Sequence, residues 1–372
     1  MKRGTTVSRE QYQEYIQQAE DKILLFLRTF EDIQENMHFG KIPEAQARLR
    51  DTIGDFFESA PSALAALEPP EERLESHAAF SAALTHLNNS SKGFLEGVPG
   101  PNFGGVFVNS RFSLCRGLDL LYNQRAHLPT LQSYWLLPEA ESSRDALETR
   151  ADGVGVPVGM IHHPQTQEHA DYSLYVPEYY TPDKTWPLIV CLHGGYGRGD
   201  DYIWTWLRPA KSKGYLLLSP KSIGPTWSVL QPSVDSRSIR AMFDEVCKTY
   251  SVDRSRVYLS GLSDGGTYTY LLGLDQAELF TGVAPIAGEL SPATDGMLRQ
   301  KQGIDVPIHV IHGVHDFIFP VEAVRSSNEL LEHIGYNVKY TELPDWSHAF
   351  TYSINETHVL PWFESLEPKG QA

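Results

Sequence analysis

The chain has 372 residues, 41% hydrophobic and 21% charged, and a formal net charge of -16. That length predicts two domains, and the composition is that of a globular protein able to bury a core in each. Residues 1–150 carry 15 basic and 21 acidic side chains (-6) and the remainder 16 and 26 (-10). Neither part has the basic excess that nucleic acid or an anionic membrane surface requires. The acidic balance also repels polyanionic substrates and favours a neutral one.

The opening Met1-Lys2-Arg3-Gly4-Thr5-Thr6 leads into polar sequence without an apolar h-region, so no secretory signal is read and a cytoplasmic location is expected. No stretch approaches the ~18 apolar residues of a membrane-spanning helix. Residues 1–150 read as helical. Tyr12, Tyr15, Ile16, Ala19, Ile23, Phe26 and Leu27 recur at three- and four-residue steps, the stripe of an amphipathic helix. Further helices are expected over Pro43–Leu67, Glu71–Leu87 and Ser110–His127, with Pro69-Pro70 as a stop. Gly97, Pro99, Gly100, Pro101, Gly104 and Gly105 read as a loop before the last of these. Four helices with short connections form a bundle. Such a domain would serve as a cap over a site or as a homo-oligomer contact.

Residues 139–155 are polar and read as a linker or the entry to a second domain, taken as 151–372. From there strand-length apolar runs alternate with helical stretches, the pattern of βαβ units on a mostly parallel sheet flanked by helices. Val154–Ile161 and Tyr172–Val176 predict an antiparallel start. Strands follow at Pro187–Leu192, Gly214–Ser219, Arg256–Ser260, Gly282–Ile286, Val306–Ile311 and Val338–Glu342. Helices are expected between them at Asp200–Lys213, Val234–Tyr250, Gly265–Leu279 and Val321–Ile334, with a last one at Leu360–Leu366. Ligands bind such sheets at the carboxyl ends of the strands. The three cysteines, Cys115, Cys191 and Cys247, are far apart, so neither a zinc site nor a disulfide framework is read, and Cys191 is expected in the core.

Gly261-Leu262-Ser263-Asp264-Gly265-Gly266 stands between a strand and a helix pattern. There a G-x-S-x-G run lifts the serine hydroxyl out of the sheet on a sharp turn that only glycines allow. A serine hydroxyl is a weak nucleophile and needs a base oriented by a third group. Fourteen histidines compete for that place. His348, in Trp346-Ser347-His348 after the last strand, follows the order serine, acid, histidine, whereas His163 and His193 precede the serine. The acid is read as Asp316, on the turn after the strand ending at Ile311, with Asp345 too local to His348. His193-Gly194-Gly195-Tyr196-Gly197 follows a buried strand and offers a backbone amide to a developing oxyanion. Gly195, with Tyr196 as second choice, and the amide of Asp264 are the candidates. Trp227 and Trp346 adjoin these loops and are read as pocket walls.

Together, Tyr172–Pro177, Pro187–Gly195 and Gly261–Gly266 resemble the phospholipase/carboxylesterase and predicted-esterase branch of the α/β-hydrolases, to which feruloyl esterases and polyhydroxybutyrate-depolymerase-like proteins are related. The resemblance covers about Val154 to Phe363 and not the first 150 residues. It implies the α/β-hydrolase fold, a triad of Ser263, Asp316 and His348, and hydrolysis of a small-molecule ester without metal or organic cofactor. Two other readings stand beside it: a serine peptidase on the same core, and a non-catalytic binding protein on a hydrolase scaffold.

Overall fold

The computed structural model describes residues 9–100, 103–151 and 153–370. The N-terminal hexapeptide and Pro101 lie outside them. The chain divides into two compact units, Met1–Pro138 and Glu139–Ala372.

The first unit is helical. Helix α1 spans Arg9–Glu35 and buries Tyr12, Ala19, Ile23, Phe26, Leu27, Phe30 and Ile33, most of the stripe expected of it and its continuation, while Tyr15 and Ile16 are only half-buried. The single helix expected over Pro43–Leu67 is two, α2 (Ile42–Ile53) and α3 (Phe56–Ala65). The break is Gly54, whose φ of 56° no continuing helix can hold. Helix α4 runs Leu74–Glu96 after a 3₁₀ turn, beyond the Leu87 expected. Helix α5 begins at Phe103 rather than Ser110 and ends at Asn123, so Gly104 and Gly105 lie in its first turn and not in a loop. A Cβ at Gly117 of α5 would stand 2.9 Å from Leu87 of α4, so the glycine lets the two helices approach closely. Phe26, Phe30, Phe57 and Phe94 meet at centroid distances of 4.8–5.4 Å and form the aromatic centre of this core.

The second unit opens with a short helix, α6 (Arg144–Glu148), within the segment read as a linker. Eight strands follow: β1 Gly159–His163, β2 Tyr172–Val176, β3 Trp186–Leu192, β4 Leu216–Pro220, β5 Val252–Leu262, β6 Gly282–Ile286, β7 Ile308–Gly313 and β8 Val338–Leu343. They form one sheet in the order β1-β2-β4-β3-β5-β6-β7-β8. Strand β2 is antiparallel to β1 and β4, and every other pairing is parallel. The antiparallel start is therefore present, although β1 begins at Gly159 and not Val154. The helix expected over Asp200–Lys213 is interrupted at Ile203 into α7 (Gly199–Tyr202) and α8 (Trp204–Lys213). Then come α9 (Ser233–Thr249), α10 (Asp264–Asp275), the short α11 (Asp295–Arg299), α12 (Val321–Ile334), and the closing turns α13 (Tyr352–Ile354) and α14 (Leu360–Glu364).

Strands β3, β4, β6 and β7 are buried along their whole length, as the parallel strands of a helix-flanked sheet are, and so is the antiparallel β2. Cys191 lies in β3 and is buried, as expected. Lys211 of α8 is fully buried between Glu178 (2.6 Å) and Glu148 (3.0 Å). That ion cluster fastens α6 to the body of the unit, since an unpaired buried ammonium would be costly. No helix of the described residues is long and apolar enough to cross a membrane.

Candidate active site

Strand β5 ends at Leu262, and α10 begins at Asp264, so Ser263 alone makes the turn between them. It does so at φ 59° and ψ -124°, a conformation that L-residues rarely adopt and that surrounding structure must hold. The flanking glycines explain how. A Cβ at Gly261 would lie 2.3 Å from the Gly265 carbonyl oxygen, and one at Gly265 would lie 2.4 Å from the His193 carbonyl oxygen. No side chain fits at either position. The Ser263 amide donates to the Ile286 carbonyl at the end of β6 (2.9 Å), which holds the turn down on the sheet.

Beyond β8, His348 reaches back so that Nε2 stands 2.8 Å from Ser263 Oγ. Its Nδ1 stands 2.8 Å from Asp316 Oδ2. A carboxylate only accepts, so Nδ1 carries the proton and Nε2 presents a lone pair to the serine hydroxyl. Asp316 lies on the turn after β7. Its Oδ1 accepts the amides of Ile318 (2.8 Å) and Phe319 (2.9 Å). Burial works against its charge, but the hydrogen bond and charge of His348 and those two amides outweigh it and hold the carboxyl below the ordinary carboxylate range. The structure thus brings Ser263, His348 and Asp316 together from three separate loops at the carboxyl edge of the sheet.

The loop after β3 lies against the serine: a Cβ at Gly194 would be 3.3 Å from Ser263 Cβ. Among the described residues the Gly195 amide meets no acceptor. The Asp264 amide opens α10, where first-turn amides have no intrahelical partner. The Tyr196 amide, the second choice from sequence, is taken: it donates to the Pro225 carbonyl (2.9 Å). The residue, with its backbone at φ 59°, is 75% exposed.

The two tryptophans are placed differently from pocket walls. Trp227 is only 2% exposed. Its indole N–H donates to the His193 carbonyl (2.7 Å), and its ring stacks on Tyr268. It holds the β3 loop from beneath and offers a substrate almost no surface. Trp346 is buried as well, and its carbonyl accepts the His315 amide (3.1 Å) while lying against Gly313. It fixes the loop bearing His348 to the turn bearing Asp316.

Sequence reasoning set His193 aside because it precedes the serine, yet it organises this site. The ring is buried, and burial pushes its pKa down to about 4. Nε2 accepts the Ser222 amide (3.1 Å), so Nδ1 bears the proton and donates to the Gly194 carbonyl (2.7 Å). A neutral imidazole therefore ties the β3 loop to the β4 loop. Its place directly at the end of a buried strand, before two glycines, was the signal. His312 was likewise passed over. It is buried, burial lowers its pKa, its Nε2 donates to the Phe319 carbonyl (2.8 Å), and it lies 3.7 Å from Asp316. Among the described residues no cluster of three or more His, Cys, Asp or Glu side chains is arranged to hold a metal ion.

The Phospholipase/Carboxylesterase family profile matches residues 234–356, which include all three members of the hydrogen-bonded chain. A bifunctional acetylxylan esterase/xylanase of Neocallimastix patriciarum is 30% identical over 162 residues, 42% of this chain and 22% of that protein. A probable feruloyl esterase C of Aspergillus terreus is 23% identical over 195 residues, 50% of this chain and 70% of that one. The chain thus spans about a fifth of the first relative's length. A solved structure of a thermostable esterase is 24% identical, covering 56% of this chain and 62% of that one at a TM-score of 0.46.

Proposed function

We propose that this chain, which has the α/β-hydrolase fold, is a serine carboxylesterase that hydrolyses neutral carboxylic esters through an acyl-serine intermediate. The observation that carries the reading is the unbroken chain Asp316–His348–Ser263, with both links at 2.8 Å, on a turn whose glycines admit no side chain. The similarity to acetylxylan and feruloyl esterases supports ester substrates.

In this reading His348 Nε2 takes the hydroxyl proton as Ser263 Oγ bonds to the ester carbonyl carbon. The carbonyl oxygen becomes an oxyanion and turns to the amides of Gly195 and Asp264. Asp316 stabilises the imidazolium without taking its proton. His348 then gives the proton to the leaving alcohol, and the C–O bond to that alcohol breaks. Water, deprotonated by the same imidazole, bonds to the acyl carbon, the bond to Ser263 Oγ breaks as His348 returns the proton to it, and the carboxylic acid leaves. The acidic surface of the chain, with its net charge of -16, agrees with an uncharged substrate.

The test is hydrolysis of a p-nitrophenyl ester series by wild type and Ser263→Ala, beside an aminoacyl p-nitroanilide. Ester cleavage that is abolished in Ser263→Ala and exceeds anilide cleavage supports the reading. Unchanged ester cleavage in the variant refutes the mechanism, and faster anilide cleavage makes the protein a peptidase.

A further inference from the structure

Exposed large apolar side chains are unevenly distributed in the second unit. Among its described residues they are Tyr196, Ile223, Leu230, Phe317, Ile318 and Leu330. All but Leu330 stand on loops that leave the carboxyl ends of β3, β4 and β7, the edge that carries Ser263. Exposed apolar side chains on the loops of one sheet edge are where an apolar ligand would meet the protein.

Phe317 and Ile318 have the most defined position. They follow Asp316 and are 54% and 49% exposed. The carboxylate that orients His348 also accepts the Ile318 and Phe319 amides, and His312 holds the Phe319 carbonyl. The turn is therefore fixed by the same groups that fix the imidazole. The Phe317 ring stands edge-on to His348 with centroids 6.0 Å apart, and Phe319 flanks the same imidazole at 5.8 Å.

Chemistry decides which part of an ester meets this surface. The imidazole must deliver its proton to the leaving-group oxygen, so that oxygen comes within hydrogen-bond reach of His348 Nε2. The carbonyl oxygen turns instead to the amides of Gly195 and Asp264. Phe317 stands beside that imidazole, so the alcohol portion is the part of the ester that meets it.

We propose that Phe317 and Ile318 form an apolar platform for the alcohol portion of the ester, and that this platform selects which alcohol, leaving or added, meets the acyl-serine. The inference rests on the serine-esterase reading above. By microscopic reversibility the nucleophile that attacks the acyl-serine occupies the place the first alcohol left. An alcohol held there gives its proton to His348 Nε2 as its oxygen bonds to the acyl carbon. The bond from that carbon to Ser263 Oγ then breaks, and His348 returns the proton to Oγ. A new ester leaves, the enzyme is restored, and nothing is oxidised or reduced.

The experiment supplies p-nitrophenyl acetate with equal concentrations of methanol or hexanol in water, and reads the ratio of new acetate ester to free acetate. Both products come from one acetyl-enzyme, so the overall rate cancels from the ratio. For the wild type the ratio is expected to be about tenfold higher with hexanol than with methanol. Phe317→Ser is expected to lower the hexanol ratio roughly fivefold, and Phe317→Leu to keep most of it. A ratio independent of alcohol length, or equal in wild type and Phe317→Ser, overturns the platform. Nitrophenol release that is absent, or that survives in Ser263→Ala, overturns the esterase reading itself and the inference with it.

Discussion

The Thr226 hydroxyl donates a hydrogen bond to the Asp264 carboxylate, and the pair closes over Gly195. A Cβ on that glycine would stand 2.7 Å from Asp264 Oδ2. The carboxylate cannot swing aside without giving up Thr226, so the two residues fix how near the β3 loop comes to the start of α10. This contact bears on the separation of the two amides proposed to hold the oxyanion.

Gly195→Ala is therefore expected to lower kcat by about 100-fold, the cost of displacing one oxyanion donor. The double variant Gly195→Ala/Thr226→Ala, in which the carboxylate is free to turn, should recover part of that loss. Steady-state kinetics on a p-nitrophenyl ester decide it. A single variant within twofold of wild type would show that the Gly195 amide does not serve the reaction.

Asp316→Asn should leave the fold intact and reduce kcat by roughly four orders of magnitude, because an amide can donate to His348 Nδ1 and so favour the wrong tautomer. The same change bears on stability. The carboxyl is held below its ordinary range in the folded chain, so its contribution is present above the unfolded value of ~3.9 and is lost as pH falls through the lower folded value. Denaturant midpoints measured down the acid limb should fall less steeply for Asp316→Asn than for wild type. Parallel limbs would count against the depressed carboxyl.

His193 acts in the same direction, in a higher pH window. Its folded pKa, pushed down to about 4 by burial, lies below the unfolded value of ~6.5. The unfolded chain then binds the extra proton between those values, so stability is complete above about pH 6.5 and declines as pH falls toward 4. The size of the effect is about 3 kcal/mol. His193→Gln should be less stable than wild type at neutral pH and show a shallower decline from pH 6.5 to 4. Midpoints that decline in parallel would remove His193 from the pH dependence.

The backbone at Ser263 holds strain for the sake of its hydroxyl. Ser263→Ala and Ser263→Gly both lose that hydroxyl, but only glycine relaxes at φ 59°. After the greater unfolded-state freedom of glycine is counted, Ser263→Gly is expected to be more stable than Ser263→Ala by about 1 kcal/mol. Urea unfolding of the two inactive variants measures this directly. Equal stabilities would mean that the turn carries no strain.

Much of the sheet was legible in the sequence because buried parallel strands are continuous apolar runs bounded by glycine, proline and polar turns. Tyr172–Val176 and Gly282–Ile286 are strands with the ends expected, and α12 spans Val321–Ile334 as read. The helical unit was read less well. Gly54 breaks a helix that periodicity alone carries through, and Gly104 and Gly105 sit in a helix that their composition argues against. Gly54 stops the helix through its own positive φ, and a Cβ at Gly104 or Gly105 would meet nothing within 4 Å, so composition alone decided neither outcome.

For the site, the sequence by itself determined the turn and its order. Gly261-Leu262-Ser263-Asp264-Gly265 between a strand and a helix states a local steric requirement, and chain order singled out Asp316 and His348 for the places beside the serine. What only the tertiary structure decided were the relations across loops. It spent the Tyr196 amide on Pro225, sank Trp227 beneath the β3 loop, made His193 the link between two loops, and turned Phe317 outward beside His348. The physical reason is that a residue type fixes what a group can donate, accept or bury, while the fold alone brings its partner within 3 Å or leaves it facing solvent.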